Sequence, residues 1–438
     1  MKDWVIQVCI PHTNRDAFDY LSDINVVIGA RVLVPFRKQI RLGIVIALSA
    51  SLSNVGNITL RKISNCIDDK ALLSAEMLRL YQWIARYYQS PLSEVIPLAL
   101  PKKLRLGHTV QLPEIDYYQL VIPLKTATDL VGRRKPKQLA LINYLAAINQ
   151  SVSKKTLLAA GFSQLHIKAL LAHQILHHTM QVDLSKWQGL GHDVPLILND
   201  EQAYAVDTIR HHLDAYHCFL LQGVTGSGKT EVYLHLIKDI LARGRQVLVL
   251  VPEIGLTPQL LSRFNARFTE PMVVIHSNLN ETERAHAWQA ARIGTIKLVI
   301  GTRAAIFTPM PALGLIILDE EHDSSFKQMD GVRYFARDTA LMRAYFANIP
   351  IILGSATPSL ESIYNCQQKK YTRLWLNQKA LVSTPLHYHV TDLRNVPIKH
   401  GLASTTVAMI STHLKQKNQV LVFINRRGFA PVLLCHQC

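Results

Sequence analysis

The chain has 438 residues, 49% of them apolar and 18% charged, with 48 lysines and arginines against 31 aspartates and glutamates for a net charge of +17. That length allows roughly two to four domains, and the apolar content excludes a disordered chain. No apolar run approaches the ~18 residues that cross a bilayer, so no membrane partner is expected.

The N-terminus lacks a basic-then-apolar leader, because Asp3 interrupts early and Pro11-His12-Thr13-Asn14 is polar. A cytoplasmic location with reduced thiols is therefore expected. The charge excess favours a polyanionic partner, nucleic acid first. It is not a tail: residues 1–110 carry 14 basic and 8 acidic groups (+6), residues 111–196 carry 9 and 5 (+4), and the rest 25 and 18 (+7). Cys9, Cys66, Cys218 and Cys366 are isolated and read as small core residues.

In chain order, Trp4–Ile10, Arg31–Pro35 and Leu42–Ala47 are short apolar runs separated by Gly29 and Gly43, so a β-rich domain is expected over 1–110. It closes with an amphipathic helix over 71–90, where Leu73, Met77, Leu80, Ile84 and Tyr87 recur at helical spacing and Pro91 ends the run. Tyr81, Trp83, Tyr87 and Tyr88 read as helix packing rather than base-stacking residues. Residues 111–136 read as a linker carrying a strand, with a basic break at Gly132–Lys137. Helices over Gln138–Asn149, Ser153–Ala160 and Gln164–His173, a Gly161 turn and a strand over Ile175–Val182 suggest a winged helix at 137–183. A second linker is expected over 184–197.

From 198 to 395 strands alternate with helices, the pattern of a parallel α/β sheet whose ligands sit at the carboxyl ends of its strands. Gly223-Val224-Thr225-Gly226-Ser227-Gly228-Lys229-Thr230 fills every restricted position of the P-loop pattern, between an apolar strand and an amphipathic helix. Glycines let backbone amides turn onto phosphate oxygens, and the helix start adds its positive end. Lys229 would reach the β- and γ-phosphates and the Thr230 hydroxyl would hold Mg²⁺. Leu315–Leu318 delivers Asp319 and Glu320, the first acid for Mg²⁺ and the second to orient and deprotonate the attacking water. ATP and Mg²⁺ are the expected cofactors, and Lys229, Asp319 and Glu320 the catalytic groups.

Gly354-Ser355-Ala356-Thr357-Pro358-Ser359 ends the following strand, and its order after P-loop and acids resembles the coupling motif of superfamily 2 helicases, with Ser355 and Thr357 as the coupling residues. Gln202 lies about 20 residues before the P-loop, where such helicases place an adenine-reading glutamine. Arg303, in Gly301–Phe307, lies on a loop of the backbone-tracking kind. Phe326, Lys327, Arg333, Tyr334 and Arg337 interleave aromatics with cations just after the acids, a mix suited to unpaired bases and their phosphates.

These motifs together resemble the PriA family of primosomal replication-restart helicases: GVTGSGKTEVYL (223–234), VPEIGLTPQ (251–259), GTRAAIF (301–307), DEEHDSSFKQ (319–328), GSATPSLES (354–362) and INRRGFAP (424–431), with FDY (18–20) and RVLVPFRKQ (31–39) upstream. The resemblance implies a RecA-like P-loop lobe preceded by a small β-rich DNA-binding domain and a winged helix. It implies ATP-dependent 3′-to-5′ unwinding at stalled forks, initiation of primosome assembly, and forked and single-stranded DNA as partners. Single-strand binding protein and other primosome proteins are implied partners too, with a monomeric chain expected. By position, Phe18, Asp19 and Lys62 would form a pocket for a DNA 3′ end, and Arg37 stands where the family usually has glycine. The family carries a second lobe interrupted by a zinc module of eight cysteines. Here that lobe only begins at 396–438, and Cys435 and Cys438 would be an incomplete Zn²⁺ site. Two expectations follow: ATP and fork binding with impaired hydrolysis, or, as an alternative, a non-catalytic fork or 3′-end DNA-binding fragment.

Overall fold

A computed structural model describes residues 4–49, 60–132, 134–255, 257–379, 387–394, 396, 398, 399 and 401–423. The chain divides into two compact units, residues 1–381 and 382–438. In the second unit two short strands, Ile398–Lys399 and Leu402–Ala403, pair antiparallel, and a helix follows over Ser404–Lys415. The expected zinc ligands Cys435 and Cys438 lie outside the described residues.

The larger unit opens with an antiparallel sheet of β1 (Trp4–Cys9), β2 (Phe18–Ser22), β3 (Arg31–Phe36), β4 (Gln39–Ser49) and β5 (Asn65–Cys66), in the order β2-β1-β4-β3-β5. Alternation puts Ile6, Val8, Val32, Val34 and Val45 into one core. The helix Ala75–Tyr87 follows, capped by Ser74, whose side chain accepts from the Met77 amide. Its buried face, including Met77, Leu80, Tyr81 and Ile84, joins the core of the large sheet further along the chain. Tyr81 is fully buried, as helix packing requires, whereas Tyr87 is 59% exposed and stacks on Trp83 with centroids 4.7 Å apart.

Residues 111–136 do more than link. β6 (Glu114–Leu120) is the central strand of a three-stranded sheet with β7 (Val152–Ser153) and β8 (Leu176–Val182), and a helix over Leu124–Val131 packs into the same core as helices Pro136–Ile148, Lys154–Ala159 and Gln164–Ala172. The unit expected at 137–183 therefore starts near 114. Tyr118 alternates inward, and Ala127 and Val131 fill the space beside Leu141 and Leu145. Residues 184–197 run along the lobe that follows, with the Leu190 and Asp193 amides donating to Asn265 O and Ala266 O at 2.8 and 2.9 Å.

The lobe is a seven-stranded parallel sheet. Its strands are β9 (Cys218–Gly223), β10 (Gln246–Leu250), β11 (Met272–Ile275), β12 (Leu298–Gly301), β13 (Leu313–Asp319), β14 (Ile351–Ser355) and β15 (Thr372–Leu376), in the order β11-β12-β10-β13-β14-β9-β15. Near-continuous apolar runs reflect burial on both faces. The order sets β13 beside β14 and β14 beside β9, so the acids, the Gly354 loop and the P-loop emerge at one edge. The alternation expected over 198–395 is present, and the strand read at Leu315–Leu318 lies within β13.

Candidate nucleotide site and its coupling network

The P-loop leaves β9 and enters the helix Lys229–Ala242, whose N-terminus has no side-chain cap. Gly226 and Gly228 both take φ +81, and a side chain added to Gly226 would meet open space. The Ser227 hydroxyl is buried without a hydrogen-bond partner. Lys229 is nearly buried, its Nζ donating to Gly223 O at 3.0 Å and lying 3.9 Å from Glu320 Oε1. Uncapped amides, an orphaned hydroxyl and a confined cation fit a phosphate chain. A nucleotide phosphate would lie against these groups, and Mg²⁺ would be held by Thr230 and Asp319. That ion would neutralise phosphate charge when bound.

Asp319 ends β13, and the chain then turns sharply because Glu320 adopts φ +50, a left-handed conformation uncommon outside glycine. Burial, and then the charge of Glu320, push the Asp319 carboxyl above its ordinary range. Its Oδ1 accepts from the hydroxyl of Tyr233 at 2.9 Å. Tyr233 is one helical turn past Lys229, and burial raises its hydroxyl well above the usual range, which keeps it a donor. Gly354 lies directly over this pair: a Cβ there would sit 1.6 Å from Tyr233 Oη and 3.0 Å from Asp319 Oδ1. The glycine is required by Tyr233, a residue that periodicity presented only as part of an apolar helix face.

A second relay runs from the acids to the Gly354 loop. His322 Nδ1 is 2.7 Å from Ser355 Oγ and 3.7 Å from Glu320 Oε2, and its Nε2 is 3.4 Å from Thr357 Oγ1. Ser355 is buried and also accepts from the Thr357 amide, so both expected coupling residues meet the acid motif through His322. Glu321 is fully buried and accepts from Arg337, from Ser359 and from Ser362.

Other expected positions are corrected by the fold. Gln202 is buried, its Nε2 donating to Ser227 O at 2.8 Å and its Oε1 accepting from the Asn199 amide. It braces the P-loop. Phe326 and Tyr334, expected to stack on bases, are 0% and 3% exposed, and Tyr334 packs edge-on against Phe307 with centroids 4.9 Å apart. Arg337 is buried in its ion pair and lies over the Phe335 ring, so it does not face nucleic acid. Arg303 is half-buried, its Nη1 donating to Ser325 O and Lys327 O at 3.0 and 2.7 Å. Lys327 and Arg333 remain exposed. Apolar residues beside cations look alike in sequence whether the ring faces solvent or core.

The loop carrying Arg303 is itself held by Arg343, which the sequence did not single out, and by Tyr81. Arg343, fully buried, donates to Ile306 O and Thr308 O at 2.6 and 2.7 Å, and the Tyr81 hydroxyl reaches Phe307 O at 3.5 Å. Tyr88, also from the N-terminal domain's helix region, accepts from the Phe335 amide at 3.1 Å. In the N-terminal sheet Phe18 packs edge-on against Phe36, Asp19 is exposed on the opposite face of β2, and Lys62 Nζ lies 3.4 Å from Asp23.

Residues 7–101 match the 3'DNA-binding domain (3'BD) of PriA, and residues 199–366 match the DEAD/DEAH box helicase domain. The replication restart protein PriA of Haemophilus influenzae is 42% identical over 99% of this chain and 60% of its own length. That of Chlamydia trachomatis is 34% identical over 94% of this chain and 57% of its own. That of Bacillus subtilis is 30% identical over 94% and 60%. The chain thus spans about 60% of the length of these relatives. By both domain matches and these relatives, the chain belongs to the PriA replication restart family.

Proposed function

We propose that this chain carries the fork-recognition and first motor elements of an ATP-dependent 3′-to-5′ DNA helicase that restarts replication and initiates primosome assembly. The observation that carries the reading is the joining of Lys229, Asp319, Glu320, His322 and Ser355 at adjacent strand ends. Lys229 and the P-loop amides hold the phosphates, Asp319 with Thr230 holds Mg²⁺, and Glu320 takes the proton of the attacking water. A change in the phosphates moves Glu320, and His322 passes that movement to Ser355 and Thr357.

Forked and single-stranded DNA are the proposed partners, with the 3′ end taken by residues 7–101 and phosphates met by Lys327 and Arg333. The four-helix, three-stranded unit at 114–182 is proposed as a winged helix. Family membership supports single-strand binding protein and other primosome proteins as further partners, a monomeric state and a cytoplasmic site of action. Among the described residues no helix is long and apolar enough to cross a membrane.

Every group placed at the phosphates above comes from one sheet. Such motors stabilise the transition state with an arginine from outside that sheet, a contribution of ~10³–10⁵ in rate. Residues 1–438 by themselves are therefore proposed to bind Mg–ATP and fork DNA while turning ATP over slowly. A steady-state ATPase assay with forked DNA, run beside Lys229→Ala, tests this. Fast DNA-stimulated turnover abolished by Lys229→Ala would overturn the slow-turnover reading, and unchanged nucleotide binding in Lys229→Ala would overturn the site.

A further inference from the structure

Between the acid motif and the helix Ala336–Ala347 the chain doubles back on itself over 327–335. Lys327 is bridged antiparallel to Phe335, the Gln328 amide donates to Tyr334 O at 2.8 Å, and Gly331 takes φ +63 in the turn. Side chains alternate along the returning limb, so Val332 and Tyr334 are buried while Arg333 stands in solvent. That alternation depends on register: a slip of one residue at the neck would turn Arg333 inward and Tyr334 out. The Phe335 ring also orients Lys327, whose Nζ lies 5.2 Å from its centroid. The two cations of this loop are therefore aimed by the residues of its neck.

The neck is gripped from two sides. Arg303, within the lobe, donates to Ser325 O and Lys327 O. The other grip comes from the N-terminal domain, where Tyr88 closes the helix Ala75–Tyr87. Its hydroxyl accepts from the Phe335 amide at 3.1 Å and donates to Phe335 O at 3.4 Å, holding both backbone groups of one residue. Burial pushes that hydroxyl up to about 12, so it keeps the proton that it donates. The Tyr88 ring is set in turn by edge-on contacts with Trp83 and Tyr87, at centroid distances of 5.9 and 4.9 Å. Arg79 lies 4.3 Å from the Phe346 ring centroid, so the two helices are docked beside the clamp as well.

We propose that Tyr88 is a positioning residue for DNA binding by the helicase lobe: from the N-terminal domain it fixes the register of the loop neck and so presents Lys327 and Arg333 to the phosphates of a single strand. This rests on the reading of both cations as phosphate contacts. Tyr88 acts through Phe335 and does not itself touch the strand. Residues 7–101 match a DNA-binding domain and residues 199–366 a helicase domain, so the clamp makes the second domain's grip on DNA depend on the first.

The test uses the full chain and fluorescence anisotropy with a labelled single-stranded DNA circle, which has no 3′ end, across a series of salt concentrations. Four proteins are compared: the parent, Tyr88→Phe, the double variant Lys327→Ala/Arg333→Ala, and the triple variant combining them. Tyr88→Phe should bind about fivefold more weakly, with a salt slope shallower by up to about 1.4, the amount that two phosphate contacts supply on a single strand. The triple variant should bind no more weakly than the double one, because the contacts that Tyr88 aims are already gone. Hydrogen exchange across 327–335 should be faster in Tyr88→Phe. Parent-like affinity and salt slope in Tyr88→Phe overturn the proposal, even where the melting temperature falls, since a merely structural role would move the melting temperature alone. Full additivity in the triple variant overturns it too, because Tyr88 would then act elsewhere. Parent-like binding by Lys327→Ala/Arg333→Ala would instead remove the phosphate reading beneath it.

Discussion

Arg337 reaches Glu321 across the interior of the lobe, Nη1 to Oε2 at 3.1 Å, and the carboxylate it meets is fully buried. Ser359 and Ser362 complete the set, with hydroxyls 3.0 and 3.1 Å from the same oxygen. The acid motif at the end of β13 is thus tied by a buried ion pair to the helix Ala336–Ala347, which precedes β14, and by two serine hydroxyls to the segment after β14. A buried pair of this kind contributes mainly by fixing geometry, and removing one partner leaves the other charge stranded.

Arg337→Met should destabilise the lobe by about 3–5 kcal/mol in urea denaturation. Glu321→Gln should do so by less, because the amide still accepts from the serines. If Arg337 served DNA directly, Arg337→Met would weaken DNA binding with no change in unfolding midpoint, and that pattern would exclude the structural role.

Tyr233→Phe should leave the fold intact and weaken Mg²⁺-dependent nucleotide binding. Losing one hydrogen bond to a charged acceptor is worth about 1.5–3 kcal/mol, or roughly ten- to a hundredfold in affinity. Titration of a fluorescent ATP analogue with Mg²⁺ and with EDTA separates the two states. A loss equal in both would mean that Tyr233 supports the P-loop helix rather than Asp319.

Gly354→Ala would place its Cβ on Tyr233 Oη, and backbone rather than a flexible tip would have to yield. A destabilisation of about 1–3 kcal/mol is expected for such overpacking. The double variant Tyr233→Phe/Gly354→Ala should recover part of it, measured as non-additivity in a thermodynamic cycle. Strict additivity would show that the two positions do not share the space.

Arg343→Met should free the Gly301–Phe307 loop, since Ile306 O and Thr308 O lose their buried donors. Faster hydrogen exchange across 301–308 is expected, with about 2–3 kcal/mol lost in stability. Unchanged exchange there would mean that Tyr81 and packing alone hold the loop.

His217, bonded to Thr372 between β9 and β15, is held below the ordinary 6.5 by burial and then by His212. A depressed histidine takes its proton more readily unfolded, so its stabilisation is complete above 6.5 and is lost as pH falls through the lower folded value. Between about pH 8 and pH 5 the urea midpoint should therefore fall more for the parent chain than for His217→Gln. Parallel curves would refute this.

The P-loop, the two acids and the strand-helix alternation were legible because each is a local pattern set by local chemistry: glycines where backbone must approach phosphate, apolar runs where strands are covered on both faces. The order of motifs along the chain also carried the resemblance. Legibility failed where one residue type serves two environments. Phe326 and Tyr334 beside Lys327 and Arg333 read as a stacking surface, yet the rings turned inward and only the cations stayed in water. β6 read as a strand inside a linker because its partners in β7 and β8 lie 34 to 68 residues away.

Composition and motif chemistry by themselves determined a parallel sheet carrying a P-loop pattern and a charge suited to a polyanion. Only the tertiary structure decided what each group touches: that Gln202 braces the P-loop, that Tyr233 and Gly354 share one space above Asp319, and that Arg337 is a buried counterion. The physical reason is range. Backbone preference and periodicity act over a few residues, whereas hydrogen bonds and exclusion of water act between residues that the sheet order alone brings together.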